Sequence, residues 1–237
     1  MEESSYIRKE GCPHCGSSDA NAIYTDHAYC FSCETYSMRE DKETQRPVNT
    51  NLIDGEVNAL TKRGISLETA KFWDYRIGNY KGQPVQIANY KNNKGQTIGQ
   101  KLRFANKDFL YLGDSKDIGL YGQHLWRSTG KMVTITEGEV DALSISQCFN
   151  NRWPVVSLPQ GCASAKKAIR KSIEWLEQFD SVVLAFDNDP QGVKAAHEAA
   201  LLLSPGKAKI VSLPSGYKDA NDMLKANQQK ALLDAIW

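Results

Sequence analysis

Two short acidic runs carry most of the chemistry that can be read from this 237-residue chain: Thr136-Glu137-Gly138-Glu139-Val140-Asp141 and Asp187-Asn188-Asp189. Each directly follows an apolar, strand-like run, Met132 to Thr136 in one case and Val182 to Phe186 in the other. Carboxylate oxygens are hard ligands that suit Mg²⁺, which is usually held by one or two carboxylates together with substrate phosphates. Two such ions, roughly 3.5–4 Å apart, can activate an attacking hydroxyl and steady the leaving oxygen of an in-line displacement. In that reading Asp187 and Asp189 bind metal, Glu137 binds metal or handles a proton, and Asp219 is a further candidate ligand. Asp141 follows Glu137 by four residues and shares its helical face as an outer support, if the helix begins early. For any one of these acids the competing account is a helix N-cap or a solvated loop.

A second group has metal-ligand spacing. Cys12-Pro13-His14-Cys15 and Cys30-Phe31-Ser32-Cys33 are two Cys-x-x-Cys knuckles with fourteen residues between them, enough for a hairpin to bring all four sulfurs to one tetrahedral Zn²⁺. Four thiolates leave no position open for water, so the zinc is expected to be structural. A redox pair is the alternative for a single knuckle. Cys148 and Cys162 stand apart and read as free thiols. Tyr24, His27, Tyr29 and Phe31 lie between the first cysteine and the last on a hairpin too small to bury them, where single-stranded bases could stack. A lone histidine is otherwise structural or solvated.

The elements that must position these groups follow from periodicity. From Lys131 onward strands and helices alternate, which predicts an α/β unit over residues 131–237 with a mostly parallel sheet. Its strands are expected at Met132–Thr136, Val155–Leu158, Val182–Phe186 and Lys209–Leu213, with helices at Val140–Phe149, Ser164–Gln178, Gln191–Leu203 and from Asn221 onward. Ligands of such sheets lie beyond the carboxyl ends of the strands, where Glu137 and Asp187 fall. Residues 57–130 read as an α+β unit, with a short helix capped by Ser66 and a hairpin turning at Asn92-Asn93-Lys94-Gly95. Residues 1–38 form the small β-rich zinc ribbon, and the polar stretch 39–56 reads as a flexible linker.

A formal net charge of +1 hides a strong polarity. Residues 1–57 hold 5 basic and 11 acidic side chains, whereas residues 58–131 hold 13 basic and 5 acidic. A basic segment beside a carboxylate site suits a phosphate-rich polymer, the alternative being a solvated basic face. Within it, Gln100-Lys101-Leu102-Arg103-Phe104 alternates so that Lys101 and Arg103 share one face, and Lys107 follows in a loop, where they could neutralise triphosphates. The loop Pro159-Gln160-Gly161-Cys162-Ala163-Ser164 could cradle phosphate ahead of a helix carrying Lys166 and Lys167. No apolar run has the length of a membrane span, which leads to the expectation of a cytoplasmic protein without a membrane partner.

The two acidic runs resemble the signature motifs of the Toprim domain shared by primases, type IA topoisomerases and some nucleases. The order of zinc module, linker, basic segment and Toprim unit resembles the primase half of the primase-helicases of short-tailed bacteriophages. Gly122-Gln123-His124-Leu125-Trp126 and Lys218-Asp219-Ala220-Asn221-Asp222 extend that resemblance over nearly the whole chain. It implies a DNA primase that makes short RNA primers on single-stranded DNA by two-metal nucleotidyl transfer, with one structural Zn²⁺ and two catalytic Mg²⁺. It further implies that His27 reads a template base, that Lys101, Lys107 and Arg103 contact nucleotide and template, and that ribonucleoside triphosphates, a fused or separate replicative helicase and a DNA polymerase are partners. Pro159 departs from the Gly-rich loop usual in the family. No Gly-x-x-x-x-Gly-Lys-[Ser/Thr] run occurs, so the chain is not expected to be an NTP-driven helicase itself. The alternatives are a Toprim-type metal-dependent nuclease and a DNA-binding recombination mediator, the latter disfavoured because the knuckles begin at Cys12 with no helix-hairpin-helix before them.

Overall fold

The computed structural model describes residues 5–38, 51–113 and 118–237. Residues 39–50, most of the stretch read as a linker, lie outside them. The chain divides into two compact units, residues 1–47 and 48–237.

The first unit is a four-stranded antiparallel meander, β1 (Tyr6–Glu10), β2 (Asn21–Tyr24), β3 (His27–Cys30) and β4 (Tyr36–Met38), in spatial order 1-2-3-4. Its interior is small: among the described residues Cys12, Ala22, Ile23, Ala28 and Cys30 are the buried apolar side chains. A core of that size cannot offset the entropy of ordering the chain, so the stability of this unit has to come from a cross-link such as a metal.

The second unit joins two sheets. The first is a five-stranded antiparallel sheet of β5 (Gly55–Glu56), β6 (Tyr75–Tyr80), β7 (Gln83–Lys91), β8 (Thr97–Phe104) and β9 (Phe109–Gly113), in sequence order. Between β5 and β6 lies α1 (Leu67–Phe72), whose N-cap Ser66 accepts the Thr69 N–H at 3.1 Å, as the sequence led one to expect. The turn at residues 92–95 joins β7 to β8, with Asn92 Oδ1 accepting from the backbone of Lys94 and Gln96. The sheet begins earlier than residue 57. Gly55–Glu56 pairs with β6, and the Gln100 amide grips both the N–H and the C=O of Ile53, so residues 53–56 belong to this sheet and not to a linker.

The second sheet holds β10 (Gly130–Thr136), β11 (Val155–Ser157), β12 (Phe179–Ala185) and β13 (Ala208–Ile210), all parallel, in spatial order 11-10-12-13. Its connections run through α2 (Glu139–Cys148), α3 (Ala165–Lys171), α4 (Ile173–Leu176) and α5 (Pro190–Ala200), and α6 (Ala220–Lys225) and α7 (Gln229–Ile236) close the unit. Both faces of the sheet are covered, because β12 sends Val183 and Ala185 into one core and Val182 and Leu184 into another. The first core also takes in Trp73, Tyr75, Ala88 and Tyr90, so the antiparallel segment packs on the same apolar mass as α2, α6 and α7. Gly122, at φ +81°, sits against the Trp73 ring, where an added Cβ would lie 2.1 Å from a ring carbon. No helix among the described residues is long and apolar enough to cross a membrane.

Three expected helices end differently. Residues 164–178 do not form one helix: a 3₁₀ turn at Cys162–Ser164 precedes α3, and the helix breaks at Ser172, whose hydroxyl turns to Gln123 Oε1. The last helix is likewise two, separated by Asn227 at φ +57°, a left-handed stop that asparagine tolerates. Finally α2 starts at Glu139 with Gly138 as an extended N-cap, so Glu137 lies before the helix and shares no helical face with Asp141.

Candidate active site

The order 11-10-12-13 makes the boundary between β10 and β12 the point where the chain's winding reverses, and ligand crevices of open α/β sheets form there. Glu137 leaves β10 on one side of that point and Asp187 leaves β12, one residue removed, on the other. Both line a cleft of about 630 Å³ whose opposite wall carries Lys101, Arg103 and Lys107 from β8 and the loop after it. The antiparallel sheet thus supplies three of the cleft's cations, Arg63 and Lys218 coming from elsewhere, and the parallel unit supplies the anions.

Glu137 Oε2 is buried and has no hydrogen-bond partner. An orphan carboxylate oxygen costs free energy unless a cation or proton takes it up. Burial first, and then the charge of Glu137, pushes the Asp187 carboxyl up to about 6, while Lys218 pulls it back. Lys218 Nζ lies 3.1 Å from Asp187 Oδ2 and 3.5 Å from Asp189 Oδ2. Asp189 is the N-cap of α5: its Oδ1 accepts the N–H of Gln191 at 3.0 Å and of Gly192 at 2.9 Å, and the Gly192 N–H holds its carboxyl below the usual range. Asp219 caps α6 in the same way, accepting the Asp222 N–H at 2.7 Å, and it also lines the cleft. Capping and cleft roles therefore coexist at Asp219, while Asp189 is not among the residues that line the cleft and reaches it through Lys218, which spans it and Asp187. Asp141 accepts the Asn221 N–H at 3.1 Å. Burial and the neighbouring Asp219 and Asp187 raise its carboxyl well above the ordinary carboxylate range.

Close approach around these acids demands glycine. A Cβ on Gly192 would stand 2.2 Å from the Asp187 carbonyl oxygen, and one on Gly138 would stand 3.1 Å from Asp141 Oδ2.

The wall opposite holds Lys101, Arg103 and Lys107, and Lys101 is tied down in an ion pair. Lys101 is not a surface cation: its Nζ is buried and bonded to both Glu139 oxygens, at 2.8 and 3.1 Å, and to the Pro159 carbonyl at 3.1 Å. Tyr90 donates to the same Glu139 oxygen at 2.6 Å, and the Tyr111 hydroxyl donates to the Pro159 carbonyl. Pro159 is thus an acceptor behind the cleft wall, with its carbonyl turned to Lys101 and Tyr111. Strand alternation could not reveal this, because β8 is covered on both faces, Leu102 by one apolar cluster and Lys101 by the parallel unit. Arg103 and Lys107 remain partly or fully exposed, with the Arg103 guanidinium 5.5 Å from the Phe109 ring centroid. Lys166 pairs with Glu198 at 3.0 Å, and neither it nor Lys167 lines this cleft. Sequence reasoning assigned no role to Glu139, Tyr90, Tyr111 or Lys218. Of these Glu139, inside the first acidic run, and Lys218, beside Asp219 in a motif already noted, carried a local signal.

Among the described residues the four cysteines are the group whose ligand atoms all lie within 4.8 Å of one another, a spacing the cleft carboxylates do not reach. Cys12 and Cys33 sulfurs are 3.8 Å apart and those of Cys15 and Cys30 3.7 Å. A tetrahedron with Zn–S bonds of about 2.3 Å has edges of about 3.8 Å, so the donor set and its spacing fit zinc. The Thr35 hydroxyl, 3.2 Å from Cys33 Sγ, helps to pull that thiol down to about 6. In the cleft, the orphan Glu137 oxygen beside Asp187 fits a hard divalent ion that shares its coordination with phosphates and waters.

The zinc unit also orders its aromatics. One ring from each strand forms a row: Tyr6 lies edge-on to Tyr24 at 5.9 Å, Tyr24 stacks on His27 at 4.4 Å, and His27 stacks on Tyr36 at 4.9 Å. Asp26 Oδ1 is 2.8 Å from His27 Nδ1 and orients the imidazole. Tyr29 and Phe31 form a separate edge-to-face pair.

Comparison with known proteins agrees with these features. A family model described as the bacteriophage T7 DNA helicase/primase N-terminal a+b fold matches residues 55–113, and a Toprim-like model matches residues 134–224. The chain is 35% identical to the DNA helicase/primase of Enterobacteria phage T3, in an alignment that takes in 100% of this chain and 44% of that protein. It therefore spans less than half the length of that relative. The crystal structure of the primase fragment of the bacteriophage T7 primase-helicase superposes with a TM-score of 0.81 at 36% identity, covering 98% of this chain and 100% of the fragment. A T7 structure in which lagging-strand DNA polymerase interacts with primase domains of two gp4 subunits bound to an RNA/DNA hybrid and dTTP matches at 0.72 and 38% identity, over 77% of this chain and 92% of that one. The chain belongs to the phage primase-helicase family and corresponds to its primase region.

Proposed function

We propose that this chain is a DNA-directed RNA polymerase of the primase type, joining ribonucleotides on a single-stranded DNA template. The observation that carries the reading is the orphan Glu137 oxygen beside Asp187 at the switch point, in a cleft that also holds Arg103 and Lys107. Mg²⁺ bound there would supply Lewis-acid polarisation of the phosphoryl group and a lowered pKa for the attacking 3′-hydroxyl. Glu137 and Asp187 would hold it, with Asp189 and Asp219 offering the oxygens not spent on helix capping. Arg103 and Lys107 receive the triphosphate, and the attacking hydroxyl passes its proton to solvent water as the 3′-oxygen bonds to the α-phosphorus and pyrophosphate leaves. Asp141 supports the α6 N-terminus and so the position of Asp219.

Lys101 has a narrower role than a free phosphate ligand. Its charge is already balanced by Glu139, and with Phe109 4.6 Å away it forms a fixed, partly neutralised donor at the back of the cleft. In the zinc unit the row Tyr6, Tyr24, His27, Tyr36 offers stacking faces for unpaired bases, with Asp26 setting the direction of the histidine for base reading. The unit's acidic character suits base selection more than phosphate affinity. A helicase and a DNA polymerase are the partners that the T3 and T7 relatives suggest.

The test is synthesis of labelled short RNA from ribonucleotides and Mg²⁺ on a random pool of single-stranded DNA, with Asp187→Ala in parallel. Template-dependent RNA from the parent protein alone supports a primase, whereas cleavage of the template in its place would assign a nuclease.

A further inference from the structure

Lys218 occupies a position that the proposed reaction does not yet account for. Its backbone is fastened to the turn after β12: the Asn188 N–H donates to the Lys218 carbonyl at 2.7 Å, and the Asn188 side-chain amide donates to the Tyr217 carbonyl at 3.4 Å. That turn carries Asp187 and Asp189, so the lysine and the two aspartates are held on one small frame. The ammonium spans Asp187 Oδ2 and Asp189 Oδ2, while Asp189 Oδ1 is engaged by two amide N–H groups of α5. It therefore sits on oxygens that a divalent cation would use.

Stabilising the fold is a poor reason for such a contact. The Lys218 side chain is 58% exposed, and exposed lysine–carboxylate pairs contribute at most about 1 kcal/mol. The acids it covers explain it better. Asp187 is only 18% exposed and stands near Glu137, whose Oε2 has no partner, so like charges crowd this end of the cleft before any metal arrives. A compact ammonium on a flexible four-carbon stem can offset that charge and also leave. Lys218 lines the same cleft as Arg103 and Lys107, so the space it swings into is the space a triphosphate would fill.

We infer that Lys218 is a displaceable counter-ion, which balances Asp187 and Asp189 in the metal-free site and passes to the phosphates of the incoming nucleotide when a divalent cation takes those oxygens. This rests on the reading of the cleft as a metal–nucleotide site and adds that metal and nucleotide enter by ion exchange. The exchange couples the two ligands: Lys218 opposes binding of the metal alone and favours binding of the metal–nucleotide complex.

The two effects have opposite signs, which a purely structural lysine would not produce. Isothermal titration calorimetry of the whole chain with Mn²⁺ alone, and separately with Mg·ATP, would compare the parent, Lys218→Met and Asp187→Asn. Lys218→Met is expected to bind Mn²⁺ roughly three- to tenfold more tightly than the parent and Mg·ATP at least roughly threefold more weakly. Unchanged or weaker Mn²⁺ binding by Lys218→Met, with the parent binding normally, would overturn the counter-ion alone. Tighter Mn²⁺ binding with unchanged Mg·ATP affinity would overturn the transfer to phosphate. If Asp187→Asn left Mn²⁺ affinity at the parent value, the metal site itself would be wrong and the role of Lys218 with it.

Discussion

Glu139 and Lys101 meet 2.8 Å apart at the back of the cleft, each with less than a tenth of its side chain exposed. The pair ties α2 of the parallel unit to β8 of the antiparallel sheet. Tyr90 on β7 caps the same carboxylate at 2.6 Å, so three elements converge on one charge. A buried pair of this kind gives little net stability relative to an apolar pair, but it fixes geometry, because breaking it strands a charge.

Lys101→Met should therefore destabilise the second unit by about 3 kcal/mol or more, since Glu139 would be left buried with only Tyr90 as partner. Adding Glu139→Gln should recover part of the loss, as the amide needs no counter-ion. Urea denaturation midpoints of the two single variants and the double variant measure this coupling. Additive losses would mean that the two side chains act independently and not as a pair.

How much of this was legible beforehand depended on whether the cause was local. A strand ending in Glu or Asp, followed by a helix, is written in contiguous residues, so Glu137, Asp187 and the capping aspartates could be found. The four cysteines could be found for the same reason. Lys101 does line the cleft with Arg103, as alternation led one to expect, but its ion pair with Glu139 was not legible, because period-two alternation says which residues share a face and nothing of what covers that face. The Gln100 clamp on Ile53 joins residues 47 apart and left no mark in the polar composition that made residues 51–56 look like a linker. Lys218 was visible only as part of a motif, because its partners lie about thirty positions away.

Gly192→Ala tests the close approach of α5 to Asp187. The new Cβ would meet the Asp187 carbonyl oxygen at 2.2 Å, so the α5 N-terminus or the turn bearing Asp187 and Asp189 must shift. Overpacking of this kind costs about 1–3 kcal/mol. Displacement of a reacting group by about 1 Å can cost about 100-fold in rate. The expected result is a folded protein with primer synthesis reduced by about two orders of magnitude and Mg²⁺ binding weakened. Full activity would show that the turn can move without penalty.

Removal of zinc should unfold the first unit and spare the second. The five buried apolar side chains among the described residues of the first unit cannot hold it, whereas structural Zn²⁺ contributes about 10–16 kcal/mol in small zinc modules. After chelation, proteolysis is expected to cut within residues 5–38 while the 48–237 unit resists. Cys30→Ser should reproduce this pattern and lose template selection more than extension of a preformed primer. Resistance of the first unit after chelation would mean that the four thiols are not its cross-link.

The acid pair gives the pH dependence its sign. Asp187 is raised to about 6 in the folded protein by burial and by Glu137, against about 3.9 in an unfolded chain. Between those values the folded state binds more protons than the unfolded one, so its metal-free stability falls as pH rises from about 4 through 6. Asp141, raised by burial and its acidic neighbours, acts in the same direction. Mg²⁺ requires the deprotonated carboxylate, so the gain in Tm on adding Mg²⁺ should be small at pH 5, grow through pH 6 and level off above it. Asp187→Asn should flatten both profiles. An equal Mg²⁺ gain at pH 5 and pH 7.5 in the parent protein would mean that Asp187 is not among the ligands.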